Sequence, residues 1–103
     1  MPFNTIVSQS FFYPISRRYA EDLLQDEPHG SFIFRPQSLI KFSPNKLVLS
    51  YVADDEILHY NLFIEHDGIT IEIGTNEYKH DNWDYFCDFI TFILGATDPI
   101  FSD

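Results

Sequence analysis

The 103-residue chain has a single cysteine, Cys87, and no long apolar run. One cysteine excludes an internal disulfide framework and a Cys-x-x-Cys metal site. No window is apolar over the length of a transmembrane helix, and residues 1–10 lack the basic start and apolar run of a signal peptide. We therefore expect a domain without membrane insertion, in a reducing compartment such as the cytoplasm.

Basic residues are also scarce, with 6 Lys and Arg against 16 Asp and Glu and a net charge of −10. Nucleic-acid binding requires a basic face, so this balance argues against a nucleic-acid partner. Residues 1–46 hold five basic and four acidic residues, whereas residues 47–103 hold one basic and twelve acidic residues. This asymmetry indicates either a binding face in the first half or acids that simply keep the protein soluble.

Aromatic residues, in contrast, are plentiful: 11 Phe, 6 Tyr and 1 Trp. Such side chains suit a small β-rich core, and the length suits one compact domain. We expect residues 1–11 to form a leader, residues 12–95 the domain and residues 96–103 a C-terminal tail.

Two helices are predicted, one at each end of the domain. Ser16 is the expected N-cap of the first helix, and Asp81 or Asn82 that of the second, which stops at Gly95. The expected apolar faces are Ile15, Tyr19, Leu23 and Leu24 in the first helix, and Trp83, Phe86, Phe89 or Ile90, Ile93 and Leu94 in the second.

Between the helices, alternation and turn residues predict four strands. They are expected over residues 31–35, 46–52, 57–65 and 69–73, with residues 74–79 as a loop. This order predicts an α+β fold, a central antiparallel β-sheet flanked by two α-helices.

Arg35 is notable because of its strand. Ile33 and Arg35 share one face, and Phe32 and Phe34 share the other. Apolar groups on both faces indicate a covered strand, in which an unpaired guanidinium costs several kcal/mol. Either a carboxylate of the chain pairs with Arg35, or a pocket accepts an outside anion such as phosphate, which a guanidinium fork fits well.

Arg17 lies in the first turn of the first helix, where free N–H groups and the helix dipole also favour an anion. If this helix packs on the Arg35 face, two guanidiniums converge, and Gln37 and Ser38 add neutral donors. The alternative for Arg17 is an i,i+4 ion pair with Glu21.

Several segments of the chain resemble SH2 domains. Residues 15–24 (ISRRYAEDLL) are similar to the first helix of that family, and residues 30–35 (GSFIFR) to its glycine, strand and arginine signature. Residues 49–51 and 58–60 resemble the next two strands, so the resemblance spans about residues 12–94. It implies a non-catalytic module that binds a tyrosine-phosphorylated peptide or protein across the sheet edge.

The resemblance also implies roles for individual residues. These are Arg35, Arg17, Ser38 and Gln37 as phosphate-binding residues; His59, Ser50 and Asn61 as residues that support the pocket; and Tyr60 as a residue that contacts the peptide after the phosphotyrosine.

The chain departs from the family pattern in several ways, one of which is an expected reduction of the loop after the second helix, where that family walls its specificity pocket. Phe12-Tyr13 replaces the usual tryptophan, Gln37 stands where a hydroxyl is common, and Asn61 stands where a lysine often supports the phosphotyrosine ring. These departures predict limited sequence selectivity and a divergent member, such as a microbial effector in the host-cell cytoplasm. They leave two alternatives open: an SH2-like scaffold domain without phosphotyrosine recognition, or a phosphoserine or phosphothreonine reader.

Other reactive residues predict no further chemistry. His66-Asp67 and His80-Asp81 lack a third ligand at useful spacing, so neither a metal nor another cofactor is expected. Cys87 lies beside aromatic residues on the second helix, where a buried, inert thiol is expected. Without a nucleophile–base pair, we expect no enzyme activity, and we expect a monomer.

Overall fold

This computed structural model describes residue 6 and residues 9–101. Its elements, in chain order, are α1 (Arg17–Leu24), β1 (Ser31–Pro36), β2 (Lys46–Ala53), β3 (Glu56–Glu65), β4 (Gly68–Ile73), β5 (Asn76–His80), α2 (Trp83–Asp88), a π-helix (Phe89–Leu94) and β6 (Asp98–Pro99). The strands form one sheet in the order β5–β4–β3–β2–β1–β6. All neighbouring strands are antiparallel except β1 and β6. The predicted α+β class is confirmed, with a parallel strand added at one edge.

The sheet has a core on each face. The side chain of Phe34 packs toward α2, with its ring 6.3 Å from that of Phe86, in the larger core. Ile33 points to the other face, where it packs with Val52 and with Ala20 of α1. The strand alternation therefore directs Arg35, two residues after Ile33, to the α1 face.

The predicted caps are observed, and the N-cap of α2 is Asn82. The Ser16 hydroxyl accepts from the N–H of Tyr19 at 3.4 Å, and Oδ1 of Asn82 accepts from the N–H of Tyr85 at 2.9 Å. Gly95 adopts a left-handed conformation with φ of 84° and ends the π-helix.

Each predicted helix face contains one misplaced residue. Tyr19 is 65% exposed, and the neighbouring Ala20 is buried instead, because the small side chain lets α1 lie close to the sheet. Ile93 is 70% exposed. The wider turn of the π-helix changes which residues follow Ile90 on the inner face, so Leu94 packs there as predicted and Ile93 does not.

The loop prediction for residues 74–79 is wrong at residues 76–79, which belong to β5. This strand pairs with β4, and Ile71 stands opposite Tyr78. Most of its side chains are exposed and polar, so the strand lacks the apolar alternation that identifies strands in a sequence.

Packing continues beyond both predicted domain boundaries. Ile6 is buried in the larger core, and the N–H of Phe34 donates to the carbonyl of Phe11 at 3.0 Å. After the π-helix, Ala96 is buried and β6 pairs with the start of β1. Both segments cover the outer edge of β1. No helix among the described residues has the length and apolar character to cross a membrane.

Candidate functional site

Arg35 lies near the end of β1 and is only 6% exposed. Its Nε donates to the Ser50 hydroxyl at 3.0 Å and its Nη1 to the carbonyl of Pro36 at 3.2 Å, while Nη2 lies 3.2 Å from Nδ1 of His59. A guanidinium carries five N–H groups, and these contacts engage three. One N–H on each terminal nitrogen is therefore left without a partner among the described residues.

Ser50 and His59 stand directly opposite each other on β2 and β3. The Ser50 Oγ lies 2.8 Å from Nδ1 of His59, and Nε2 of His59 lies 3.1 Å from Oε2 of Glu21. Ser50 accepts from Arg35, so its own proton is available for Nδ1, and the Glu21 carboxylate requires a donor. We infer a neutral imidazole with its proton on Nε2, because this tautomer satisfies every contact at once.

The charge of Arg35 lacks a close counterion among the described residues. None of the carboxylates in the described part of the chain forms an ion pair with it. Burial lowers the pKa of Arg35, and the positive charge of Arg17 lowers it further, while Glu21 acts in the opposite direction. Arginine nevertheless stays protonated, so β1 holds a buried cation among mainly neutral groups.

His59 is also shifted towards its neutral form. Burial is the largest cause of its lowered pKa, and Arg35 contributes in the same direction, whereas the hydrogen bond to Glu21 opposes both. A second proton on the imidazole would place an N–H against Arg35 and Ser50. The electrostatics and the hydrogen bonds of His59 therefore both favour the neutral imidazole.

Arg17 and Glu21 close the outer side of the site. They lie one turn apart on α1, with Oε2 of Glu21 3.6 Å from Nε of Arg17, so the alternative pairing expected for Arg17 is present. The hydrogen bond from His59 is the main cause of the lowered pKa of Glu21, with smaller contributions from Arg17. A carboxylate thus links the exposed arginine to the buried network.

The two residues predicted as neutral donors differ in availability. The side-chain amide of Gln37 donates to the carbonyls of Leu47 and Leu62 at 3.2 and 3.1 Å, so its N–H groups are engaged by the sheet. The Ser38 hydroxyl accepts from the N–H of Lys41 at 3.0 Å. That contact leaves the Ser38 hydroxyl proton available to a ligand.

Asn61 and Tyr60 lie outside this network. Asn61 is exposed, and its Nδ2 donates to Glu72 at 3.4 Å. Tyr60 points to the opposite face of the sheet from His59, with its ring 5.8 Å from that of Tyr51. The sheet therefore separates Tyr60 from Arg35, although the two belong to the same predicted site.

An acidic cleft borders the site near the C-terminal end of α1. Its carboxylates come from α1, the segment that follows it, the turn between β2 and β3, and the first residue of β3: Glu21, Asp26, Glu27, Asp54, Asp55 and Glu56. A cleft of this charge repels phosphate, so an anion has a favourable environment only on the Arg35 side of Glu21.

The remaining reactive residues lie apart from Arg35. Cys87 is partly buried, and burial raises the pKa of its thiol to about 11, which keeps it protonated at neutral pH. The rings of His80 and Phe89 are tilted against each other with centroids 4.7 Å apart, and burial lowers the pKa of His80. Within residue 6 and residues 9–101, no three His, Cys, Asp or Glu side chains are grouped to hold a metal ion.

Comparison with known proteins assigns the fold. A model of the SH2 domain family matches residues 11–88. The chain belongs to the SH2 domain family. It is similar to the solution NMR structure of the SH2 domain of a CRK/CRKL homologue from Monosiga brevicollis: the sequence identity is 30%, the TM-score is 0.61, and the match covers 81% of this chain and 74% of that one. No curated protein matches the chain.

Family membership confirms the predicted fold and the general class of function. SH2 domains are phosphotyrosine-peptide binding modules and are generally non-catalytic. In this SH2 domain the structure brings Arg35, Ser50 and His59 together, with Arg17 beside them through Glu21. Sequence reasoning treated Glu21 only as a helix partner of Arg17, and the i,i+4 spacing was the one signal that could have associated it with the site.

Proposed function

We propose that this SH2 domain binds tyrosine-phosphorylated peptides and that Arg35 holds the phosphate. The observation that carries the proposal is a buried guanidinium with no carboxylate partner among the described residues and one open N–H on each terminal nitrogen. Two parallel N–H groups match two oxygens of a phosphate. A bound phosphate would also neutralise a charge that is otherwise costly to bury.

Arg17 and Ser38 are proposed as additional phosphate contacts. Arg17 is exposed at the start of α1, where the helix dipole favours an anion, and Ser38 has a hydroxyl proton to donate. Ser50 and His59 serve to position Arg35 through its Nε and Nη2. Because its amide is engaged by the carbonyls of Leu47 and Leu62, Gln37 has a structural role in this proposal.

The bound peptide is proposed to run from the phosphate site across β3. β4 pairs with β3 only from Leu62 onward, so the first half of β3 is bonded to β2 alone among the described strands. A peptide that crosses this half would pass from the His59 side to the Tyr60 side of the sheet. Asn61 is already hydrogen-bonded to Glu72, so it offers little to the phosphotyrosine ring. This observation supports the proposal of limited sequence selectivity.

The proposal is tested by titrating a phosphotyrosine peptide and its unphosphorylated form. Arg35→Ala should weaken binding of the phosphopeptide by at least about thirtyfold, as expected for loss of a buried charged partner. Arg35→Lys keeps the charge but loses the fork, so it should remain well below wild type. Arg18→Ala, which removes an exposed arginine from the same helix as Arg17, is the matched control. Equal binding of both peptides by wild type and Arg35→Ala would overturn the proposal.

A phosphothreonine peptide distinguishes the second candidate. A reader of phosphoserine or phosphothreonine is favoured by one observation, the absence of a cation at Asn61 to support an aromatic ring. If the phosphothreonine peptide binds as tightly as the phosphotyrosine peptide, the domain recognises the phosphate alone.

We also propose that the domain is a monomer and that it acts in the cytoplasm. Gel filtration tests the oligomeric state. An origin as a microbial effector stays a prediction.

A further inference from the structure

We propose that Glu21 is a specificity-determining residue of the anion site, which weakens binding of a doubly charged phosphate relative to a singly charged oxyanion of the same shape. The inference rests on the proposed function. It concerns a carboxylate that lies inside a site otherwise built from cations and neutral groups.

The position of Glu21 makes it an internal competitor for the ligand. Its Oε2 lies 3.6 Å from Nε of Arg17 and 3.1 Å from Nε2 of His59. An anion that recruits Arg17 therefore has to share this guanidinium with Glu21 or displace the carboxylate. Glu21 already supplies part of the negative charge that the ligand would bring.

The charges around the site lead to the same conclusion. Arg35 and Arg17 are cationic, His59 is neutral and Glu21 is anionic, so the four side chains sum to a single positive charge. Phosphotyrosine is close to a dianion at neutral pH, because its second pKa is about 6. The repulsion from Glu21 grows in proportion to the ligand charge, and it is thus twice as large for a dianion as for a monoanion.

Glu21→Gln isolates the charge from the hydrogen bond. The amide oxygen of glutamine can still accept from Nε2 of His59, so the orientation of the imidazole is retained. The Glu21 side chain is 42% exposed, so the substitution should not prevent folding. Because exposed ion pairs are weak, the expected gain is modest, roughly two- to fivefold in affinity for a phosphotyrosine peptide.

The experiment compares phosphotyrosine and sulfotyrosine peptides of one sequence at low salt and about pH 7.5, where phosphate is mostly dianionic. Sulfotyrosine carries the same tetrahedral group with a single charge, and its weaker binding is measured by competition. Glu21→Gln should tighten phosphotyrosine binding by the factor above and sulfotyrosine binding by about the square root of that factor. No gain for phosphotyrosine, or an equal gain for both peptides, would overturn the inference.

Two further variants separate a local effect from a general one. Asp22→Asn removes the same charge from an exposed neighbour on α1. The logarithm of its affinity gain for the phosphotyrosine peptide should be less than half of that for Glu21→Gln. In an Arg17→Ala background, the gain from Glu21→Gln should shrink, because the shared guanidinium is gone. An effect of Asp22→Asn equal to that of Glu21→Gln would sink the inference. If wild type does not distinguish phosphorylated from unphosphorylated peptide, the proposed function fails as well, and this outcome is distinct from the others.

Discussion

At the scale of single residues, the main feature is a buried guanidinium, Arg35, whose N–H groups are only partly engaged by the described residues. The chain surrounds Arg35 with a hydroxyl, a carbonyl and a neutral imidazole. These groups hold the guanidinium in place and satisfy some of its donors, but they do not neutralise its charge. A carboxylate paired directly with Arg35 would neutralise this charge and compete with an anionic ligand. Glu21 instead contacts His59 and Arg17.

The lowered pKa of His59 predicts a pH-dependent stability. Above its ordinary pKa of 6.5 the imidazole is neutral in both the folded and the unfolded chain. As the pH falls below 6.5, the unfolded chain takes up the proton first, so the free energy of unfolding decreases until the folded pKa is passed. His59→Asn should reduce the decrease, measured by denaturant unfolding between about pH 7.5 and 5.5.

The stability of wild type over the same pH range is the reference for this prediction. Because burial also lowers the pKa of His80, some dependence should persist in His59→Asn. A wild-type stability that rises on acidification through this range would contradict the lowered pKa of His59.

At the scale of elements, strand register assembles the site. Ser50 is the cross-strand partner of Ile33 on one side and of His59 on the other. Arg35 follows Ile33 by two residues on the same face, which makes it the diagonal neighbour of Ser50. A slip of one residue in β2 would turn Ser50 to the other face and remove it from Arg35. Phe34, which lies between Ile33 and Arg35, packs against Phe86, so the larger core helps to hold the strand that carries Arg35 on the opposite face.

The two helix caps predict different losses of stability. Asn82→Ala removes a 2.9 Å hydrogen bond from the start of α2, and it should lower the free energy of unfolding by about 1 kcal/mol. Ser16→Ala removes a longer contact of 3.4 Å and should cost less. Asn82→Asp should retain most of the stability, because aspartate also caps helices. Thermal or denaturant unfolding measures all three variants, and a larger loss for Ser16→Ala than for Asn82→Ala would refute this ranking.

At the scale of the whole molecule, the sheet edges and the charge distribution define where a peptide can bind. The outer edge of β1 is covered by β6 on one half and by residues 11–13 on the other. The first half of β3, in contrast, has no partner on its β4 side among the described residues. Glu56 begins this half, and Glu72 lies beside Asn61 at its other end. The open strand therefore lies between acidic groups on a protein of net charge −10.

This distribution predicts a charge preference in the peptide. With phosphotyrosine followed by three lysines, a peptide should bind more tightly than one with three glutamates, and the difference should shrink as salt screens the surface charges. Dissociation constants at low and high salt test both statements. Tighter binding of the glutamate peptide would exclude the proposed influence of the acidic surface.

Much of this SH2 domain was predictable from its sequence because the signals are local. Ser16, Asn82 and Gly95 have the local chemistry of helix termini, and apolar alternation identified the four longer strands. The position of Arg35 on a covered strand also followed from alternation. In contrast, β5 depends on hydrogen bonds to β4 rather than on its own exposed side chains, and the π-helix altered the buried face after Ile90. Such features have no local signature.

The sequence by itself determined that a cation, Arg35, would be buried on a covered strand and that Arg17 would begin the preceding helix. Only the tertiary structure decided which groups surround that cation. Ser50 and Glu21 come close to His59 through strand pairing and helix docking, between positions that are distant in the chain. Because those contacts depend on register and on the packing of α1 against the sheet, no pattern within one segment could reveal that Glu21 would contact His59.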